Sequence, residues 1–349
     1  MSLERKHRVR APSRAFALAL ALFAAVAVPA SRAADALPAR PLRIAYVFAL
    51  ANAPAVIAEQ KGYFAAEGLQ VELRSFGDGP VIQQAIAAGE VDIAYVGAPP
   101  VYQWFARGLQ SRIVAKVNYG QAALVVSPGA APPITTLADL RGRRIAGVAR
   151  GSGMDVLLRG QVLKARGGLD ADKDLSVVGM PAANMNAALE RKLVDAMFTW
   201  EPYVSEAILR GTGKLLLDVN QALPHYPWYV IVAVPLTMAQ RPEDVVRLLR
   251  AHRKAVAFIN EHPDEADALI AQAFQVPALQ TPAGATVSPA AVVREARKRL
   301  GWSARFEPAD LAFIQTLMDD SLAQGILARP MRAEQVVDLS WQQKAEARR

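Results

Sequence analysis

Arg144-Ile145-Ala146-Gly147-Val148-Ala149-Arg150-Gly151-Ser152-Gly153-Met154-Asp155 is the stretch that decides the fold: an apolar strand runs into a glycine turn that opens a helix-forming run over 155–163. That order builds an anion site, because the first amides of a helix lack intrahelical partners and carry the positive end of its dipole. Arg150 adds a full positive charge beside it. The turn lacks the Gly-Lys-Ser/Thr ending of a phosphate loop, and glycines at 147, 151 and 153 do not fit Gly-x-Gly-x-x-Gly, which disfavours a nucleotide. By itself such a turn equally describes a strand-to-helix loop with no ligand.

Outward from this stretch, the sequence echoes itself. Arg43-Ile44-Ala45 recurs as Arg144-Ile145-Ala146, 101 positions later, and Val91-Asp92 recurs as Val194-Asp195 at an offset of 103, each before an apolar run. Two matches in the same order at nearly the same offset predict two lobes of similar construction with a ligand cleft between them.

Composition bounds the classes. At 349 residues, 52% hydrophobic and 21% charged, the chain is long enough for two lobes with sizeable cores. Arg5, Lys6, Arg8, Arg10 and Arg14 precede an apolar run over 15–28 and a small-x-small site at Ser31-Arg32-Ala33, the pattern of a secretory signal over 1–33. That segment carries six of the Lys/Arg and one Glu, so it holds +5 of the formal +8 and leaves +3 for the rest. A balance so near neutral argues against a nucleic-acid partner. No cysteine is present, which excludes disulfides, thiolate metal ligands and a lipid-modified cysteine. The expected location is the periplasm.

Along the chain, strands are expected over 41–48, 69–76, 91–96, 113–117, 122–126, 176–179, 194–199 and 230–234, with helices between them. Parallel pairing would put ligand contacts at the strands' carboxyl ends. Asn118-Tyr119-Gly120 reads as the crossing into the second lobe and Val230–Val234, preceded by His225-Tyr226-Pro227-Trp228-Tyr229, as the return. From Pro242 the pattern is helical, with Ser288 capping a helix through Leu300 and another over 308–322.

Four segments, Lys61-Gly62-Tyr63-Phe64 with Glu67-Gly68-Leu69, the run Ala88-Gly89-Glu90-Val91-Asp92-Ile93-Ala94, Leu137-Ala138-Asp139-Leu140-Arg141-Gly142-Arg143-Arg144-Ile145-Ala146, and Trp200-Glu201-Pro202-Tyr203, resemble the periplasmic substrate-binding proteins of ABC importers for sulfonates, nitrate and taurine. The resemblance implies an α/β, two-lobed periplasmic-binding-protein fold of type II. Each lobe would be a mostly parallel sheet flanked by helices, joined by a two-stranded hinge, with lobe one over 41–120 and 230–341 and lobe two over 121–229. It also implies a small-molecule ligand, a permease partner with a cytoplasmic ATPase, action as a monomer, and neither cofactor nor metal. Carried over by position, the cleft would be lined by the Leu50-Ala51-Asn52 loop, Gly79-Pro80 and Gly97-Ala98-Pro99 on one side. Gly151-Ser152-Gly153-Met154 and Trp200-Glu201 would face them.

Glu201 could meet a ligand ammonium, or instead cap the next helix or pair with an arginine. Trp200 and Trp228 could wall the cleft or simply pack. Arg150 and His225 could contact ligand or serve structure. Sulfonate-type anions are the expected ligands, with nitrate or a pyrimidine (a thiamine precursor) as alternatives. The rival class is an enzyme related to pyrimidine synthases, but only His225, His252 and His262 follow the signal, none at paired metal spacing, and no Gly-x-Ser-x-Gly elbow is present, so catalysis is not expected. A binding protein that serves a receptor instead of a permease is a third class.

Overall fold

The computed structural model describes residues 40–224 and 226–347. The expected signal and His225 lie outside the described residues. Strands and helices alternate as β1 (Leu42–Val47), α1 (Ala53–Gln60), α2 (Tyr63–Ala66), β2 (Val71–Phe76), α3 (Gly79–Ala87), β3 (Ile93–Gly97), α4 (Ala98–Ala106) and β4 (Arg112–Lys116). They continue as β5 (Asn118–Gly120), β6 (Ala122–Val126), β7 (Arg144–Gly147), α5 (Gly153–Leu157), β8 (Ser176–Gly179), α6 (Ala182–Glu190), β9 (Ala196–Trp200), α7 (Tyr203–Leu209), β10 (Lys214–Asp218), α8 (Val219–Ala222) and β11 (Tyr229–Ala233). Helices α9 (Pro235–Gln240), α10 (Pro242–Glu261) and α11 (Pro263–Ala273) follow, then β12 (Leu279–Gln280), β13 (Thr286–Val287), α12 (Pro289–Ala296), β14 (Leu300–Trp302), α13 (Pro308–Ala323) and α14 (Ser340–Glu346).

Two five-stranded sheets result, ordered β2-β1-β3-β11-β4 and β10-β6-β9-β7-β8. The sequence echo is one device used twice. β1 runs parallel to β2 and β3, and β7 runs parallel to β8 and β9. In the first sheet Asp92, just before β3, accepts the Arg43 amide of β1 at 2.9 Å; in the second, Asp195, just before β9, accepts the Arg144 amide of β7 at 2.8 Å. Each carboxylate thus sets the register of a buried parallel pair. Burial alone would raise the Asp92 carboxyl, but hydrogen bonds from Arg40 and Arg43 outweigh it and hold it below the usual carboxylate range.

Each sheet is mostly parallel, as expected, with four of its five strands running one way and one strand running against them. β11 is antiparallel to β3 and β4, and β6 is antiparallel to β9 and β10. The reason is topological. A strand arriving from the other lobe enters at the cleft end, where its neighbours finish, and so runs against them. Tyr229 at the start of β11 therefore faces Gly97 at the end of β3, and Ala122 at the start of β6 faces Trp200 at the end of β9.

The two crossings touch at Tyr119 and Pro227. A third strand braces them: β14 pairs antiparallel with β5, so Leu300 belongs to a strand and not to the helix expected there. From β14, Trp302 donates its indole N–H to the Ala51 carbonyl at 3.0 Å. Helix α10 covers the first sheet with one apolar stripe, from Val245 and Leu248 to Ala255 and Ile259.

Candidate functional site

The carboxyl ends of both sheets converge on a gap that divides into two connected cavities sharing Asp78, Val148 and Trp200. The outer one, about 670 Å³, is walled by Phe48, Gly77, Ala149, Tyr203 and the run Gly179 to Ala183. That volume suits a small organic molecule. The inner one, about 30 Å³ and so large enough for a water or two, lies among Gly79, Gly97, Pro100, Ser152, Gly153, Met154, Trp228 and Tyr229. Among the described residues that line either cavity none is Lys, Arg or His, and the only carboxylate is Asp78.

Four helices point their N-termini into this gap, and local chemistry decides what each can offer. At α5, Gly151 takes a positive φ of 79°, which turns its amide onto the Asp155 carboxylate at 2.9 Å. Ser152 caps the helix by accepting the Asp155 amide at 3.2 Å. The Gly153 and Met154 amides are left for the gap. The helix then continues in π-type turns over Leu158–Arg166. At α6 no side chain caps, Asn184 turns its amide back to Pro181, and the Ala182 and Ala183 amides are left. At α3 the Asp78 carboxylate takes the Val81 amide at 3.0 Å, and Pro80 has no N–H, so Gly79 alone remains. At α4 Pro99 and Pro100 remove two donors and leave Ala98.

Of the expected lining residues, Gly79, Gly97, Ser152, Gly153, Met154 and Trp200 border the inner cavity. Pro80, Ala98 and Gly151 line neither cavity; Gly151 instead accepts a 2.7 Å hydrogen bond from Gln103 across the gap. Pro99 also lies behind the lining, packed toward Gly153. At Gly153 the walls approach closely, and a Cβ there would come within 3.1 Å of the Trp228 ring and 3.4 Å of Pro99.

Two residues are corrected. Asn52 lines neither cavity: it is fully buried and donates to the Val47 carbonyl at 2.8 Å, a brace within its loop. Glu201 is also fully buried: one oxygen accepts Arg299 at 2.6 Å and the other accepts the Ser205 amide at 3.0 Å. It is both a helix cap and an arginine partner, because a carboxylate without solvent needs a cation and an N–H. Arg150 turns to Asp172 at 3.3 Å and to Asp155 at 3.8 Å, away from the gap. Trp228 is buried and lines the inner cavity.

Sequence reasoning missed Phe48, Asp78, Met180, Tyr203 and Tyr229. Strand ends signalled their place, since Gly77-Asp78 follows β2, Met180 follows β8 and Tyr229 opens β11. Burial pushes the Tyr229 and Tyr203 phenols up, so both remain protonated at neutral pH. Neither described histidine reaches the gap: His252 lies behind the first sheet against the Lys116 carbonyl at 3.1 Å, and His262 ends α10. Among the described residues, no group of three or more acidic or histidine side chains could hold a metal.

The model of the NMT1-like family matches residues 35–275. The chain belongs to the NMT1-like family. A Bacillus subtilis (strain 168) protein named as an aliphatic sulfonates-binding protein is 28% identical to this NMT1-like chain over 217 residues, 61% of the chain and 64% of the relative, so less than two thirds of that relative is matched. Among solved structures, the alkanesulfonate-binding protein SsuA from Xanthomonas axonopodis pv. citri, bound to MOPS, superposes with a TM-score of 0.73 at 23% identity, covering 87% of this chain and 99% of that one. The desulfurization enzyme DSZB superposes with a TM-score of 0.62 at 20% identity over 87% and 98% of the two chains. These likenesses establish the two-lobed periplasmic-binding-protein fold. On this fold the NMT1-like chain has both binding proteins and an enzyme as neighbours.

Proposed function

We propose that the chain is an extracytoplasmic solute-binding protein, capturing a small molecule between its lobes and delivering it to the permease of an ABC importer. The observation that carries this is the pair of connected cavities, walled by both sheets at their carboxyl ends beside the hinge. A solute lodged there touches both lobes only when they are shut, so binding favours the shut form by its differential contacts. In this reading the lobes are 41–120 with 230–341 and 121–229, the segment 1–33 directs export to the periplasm, and the protein acts as a monomer without catalysis. Among the described residues the lining holds no histidine, which supports binding over acid–base chemistry.

For the ligand class, the relatives named for sulfonates support a sulfonate-type solute, whose oxygens would accept the free amides of Gly153, Met154, Ala182 and Ala183. A second reading, a pyrimidine, is favoured by the aromatic walls and by the lack of a basic side chain among the described lining residues. Thermal-shift measurements on the exported chain against alkanesulfonates, nitrate and pyrimidines test the reading. Saturable stabilisation by an organic solute is expected. Stabilisation by none of them would overturn it.

A further inference from the structure

We propose that Asp78 makes the cleft selective for solutes that present a nitrogen, charged or bearing N–H, on a planar or apolar body. The inference rests on the cleft being a ligand site. Asp78 borders both the inner and the outer cavity. One of its oxygens caps α3 through the Val81 amide, and the other has no hydrogen-bond or ion-pair partner among the described residues. A carboxylate with a spare oxygen, in a lining whose described residues include no cation, is the strongest acceptor they offer.

The remainder of the lining completes the description of the guest. Phe48, Trp200, Tyr203, Trp228 and Tyr229 supply ring faces and edges, which hold flat or apolar bodies and attract cations to their faces. The wall around Asp78 is poor in donors, because Pro80, Pro99 and Pro100 delete amides there. Acceptor atoms of the solute therefore belong on the opposite wall, at the amides of α5 and α6. The guest is polar at two ends: oxygens toward lobe two, nitrogen toward Asp78. A bare inorganic anion such as nitrate fits least, since it fills no apolar wall and brings only negative charge to a carboxylate.

Calorimetric titration with two matched pairs tests this: 2-aminoethanesulfonate against ethanesulfonate, and cytosine against 2-hydroxypyrimidine, on the wild-type protein and on Asp78→Asn. Asparagine caps helices as well as aspartate, so the variant should melt with the wild type. The amino-bearing member of at least one pair should bind about tenfold tighter or more, and Asp78→Asn should erase about tenfold of that preference. Binding without preference for the amino-bearing member, or a preference that Asp78→Asn leaves intact, overturns the inference and leaves the solute-binding reading standing. Binding of none of the four sinks both.

Discussion

Lobe one and lobe two present the same strand–turn–helix ends to the gap, yet they are armed differently. On the first wall α3 is capped by its own aspartate and α4 begins with two prolines, so two helices leave only the Gly79 and Ala98 amides. On the second wall α5 and α6 leave four, at Gly153, Met154, Ala182 and Ala183. The supports differ as well. Behind Trp200 stands a buried ion pair between Glu201 and Arg299, whereas the first-wall loop is braced by neutral hydrogen bonds from the Asn52 amide and the Trp302 indole. A helix N-terminus is therefore not an anion site by position alone, because capping carboxylates and prolines can use up its donors.

The difference in support gives the largest expected effect. Arg299→Met strands the fully buried Glu201 carboxylate and should cost about 3–5 kcal/mol in urea unfolding, whereas Asn52→Ala, which removes one neutral hydrogen bond, should cost about 1–2 kcal/mol. Equal costs would erase the contrast between the walls.

Acid should find lobe one next. His252, behind its sheet, is fully buried, and desolvation pulls its pKa down from 6.5 to about 4. Folding thus favours the neutral ring. The resulting stability is complete above about pH 6.5 and is lost as the pH falls toward 4, by about 3 kcal/mol at most. Urea midpoints at pH 7 and pH 4.5 should show the fall, and His252→Gln should flatten it.

The smallest effects come from the caps. Ser152→Ala and Asp78→Ala should each cost about 1 kcal/mol of stability without any solute, since both side chains accept a first-turn amide. A change in affinity alone, with stability unmoved, would show that the side chain serves the solute and not the helix.

Much of the fold was legible because local chemistry carries it. The Arg-Ile-Ala and Val-Asp pairs marked β1 and β3 in one sheet and β7 and β9 in the other, and the Asp92 and Asp195 contacts give those letters their physical reason. Mixed pairing was hidden, since strand direction depends on which end of the sheet a returning segment enters. β10 and β14 escaped notice because the partner strands of Lys214–Asp218 and Leu300–Trp302 lie far away in sequence. At the site, glycines and Trp200 were readable as strand ends. The fate of Glu201 was not, because its partner Arg299 is 98 residues away and nothing local announces it. Asp78 read as a turn residue, and a cap with a spare oxygen looks the same in sequence as one without.

The central claim is that the two walls share one small guest beside Gly153. Titration calorimetry of the wild-type chain and of Gly153→Trp with the tightest solute found in thermal screening tests it most directly, because any side chain at 153 meets Trp228 and Pro99. The account predicts one saturable site in the wild type and none in the variant, with far-ultraviolet circular dichroism unchanged. Undiminished binding by Gly153→Trp would contradict it.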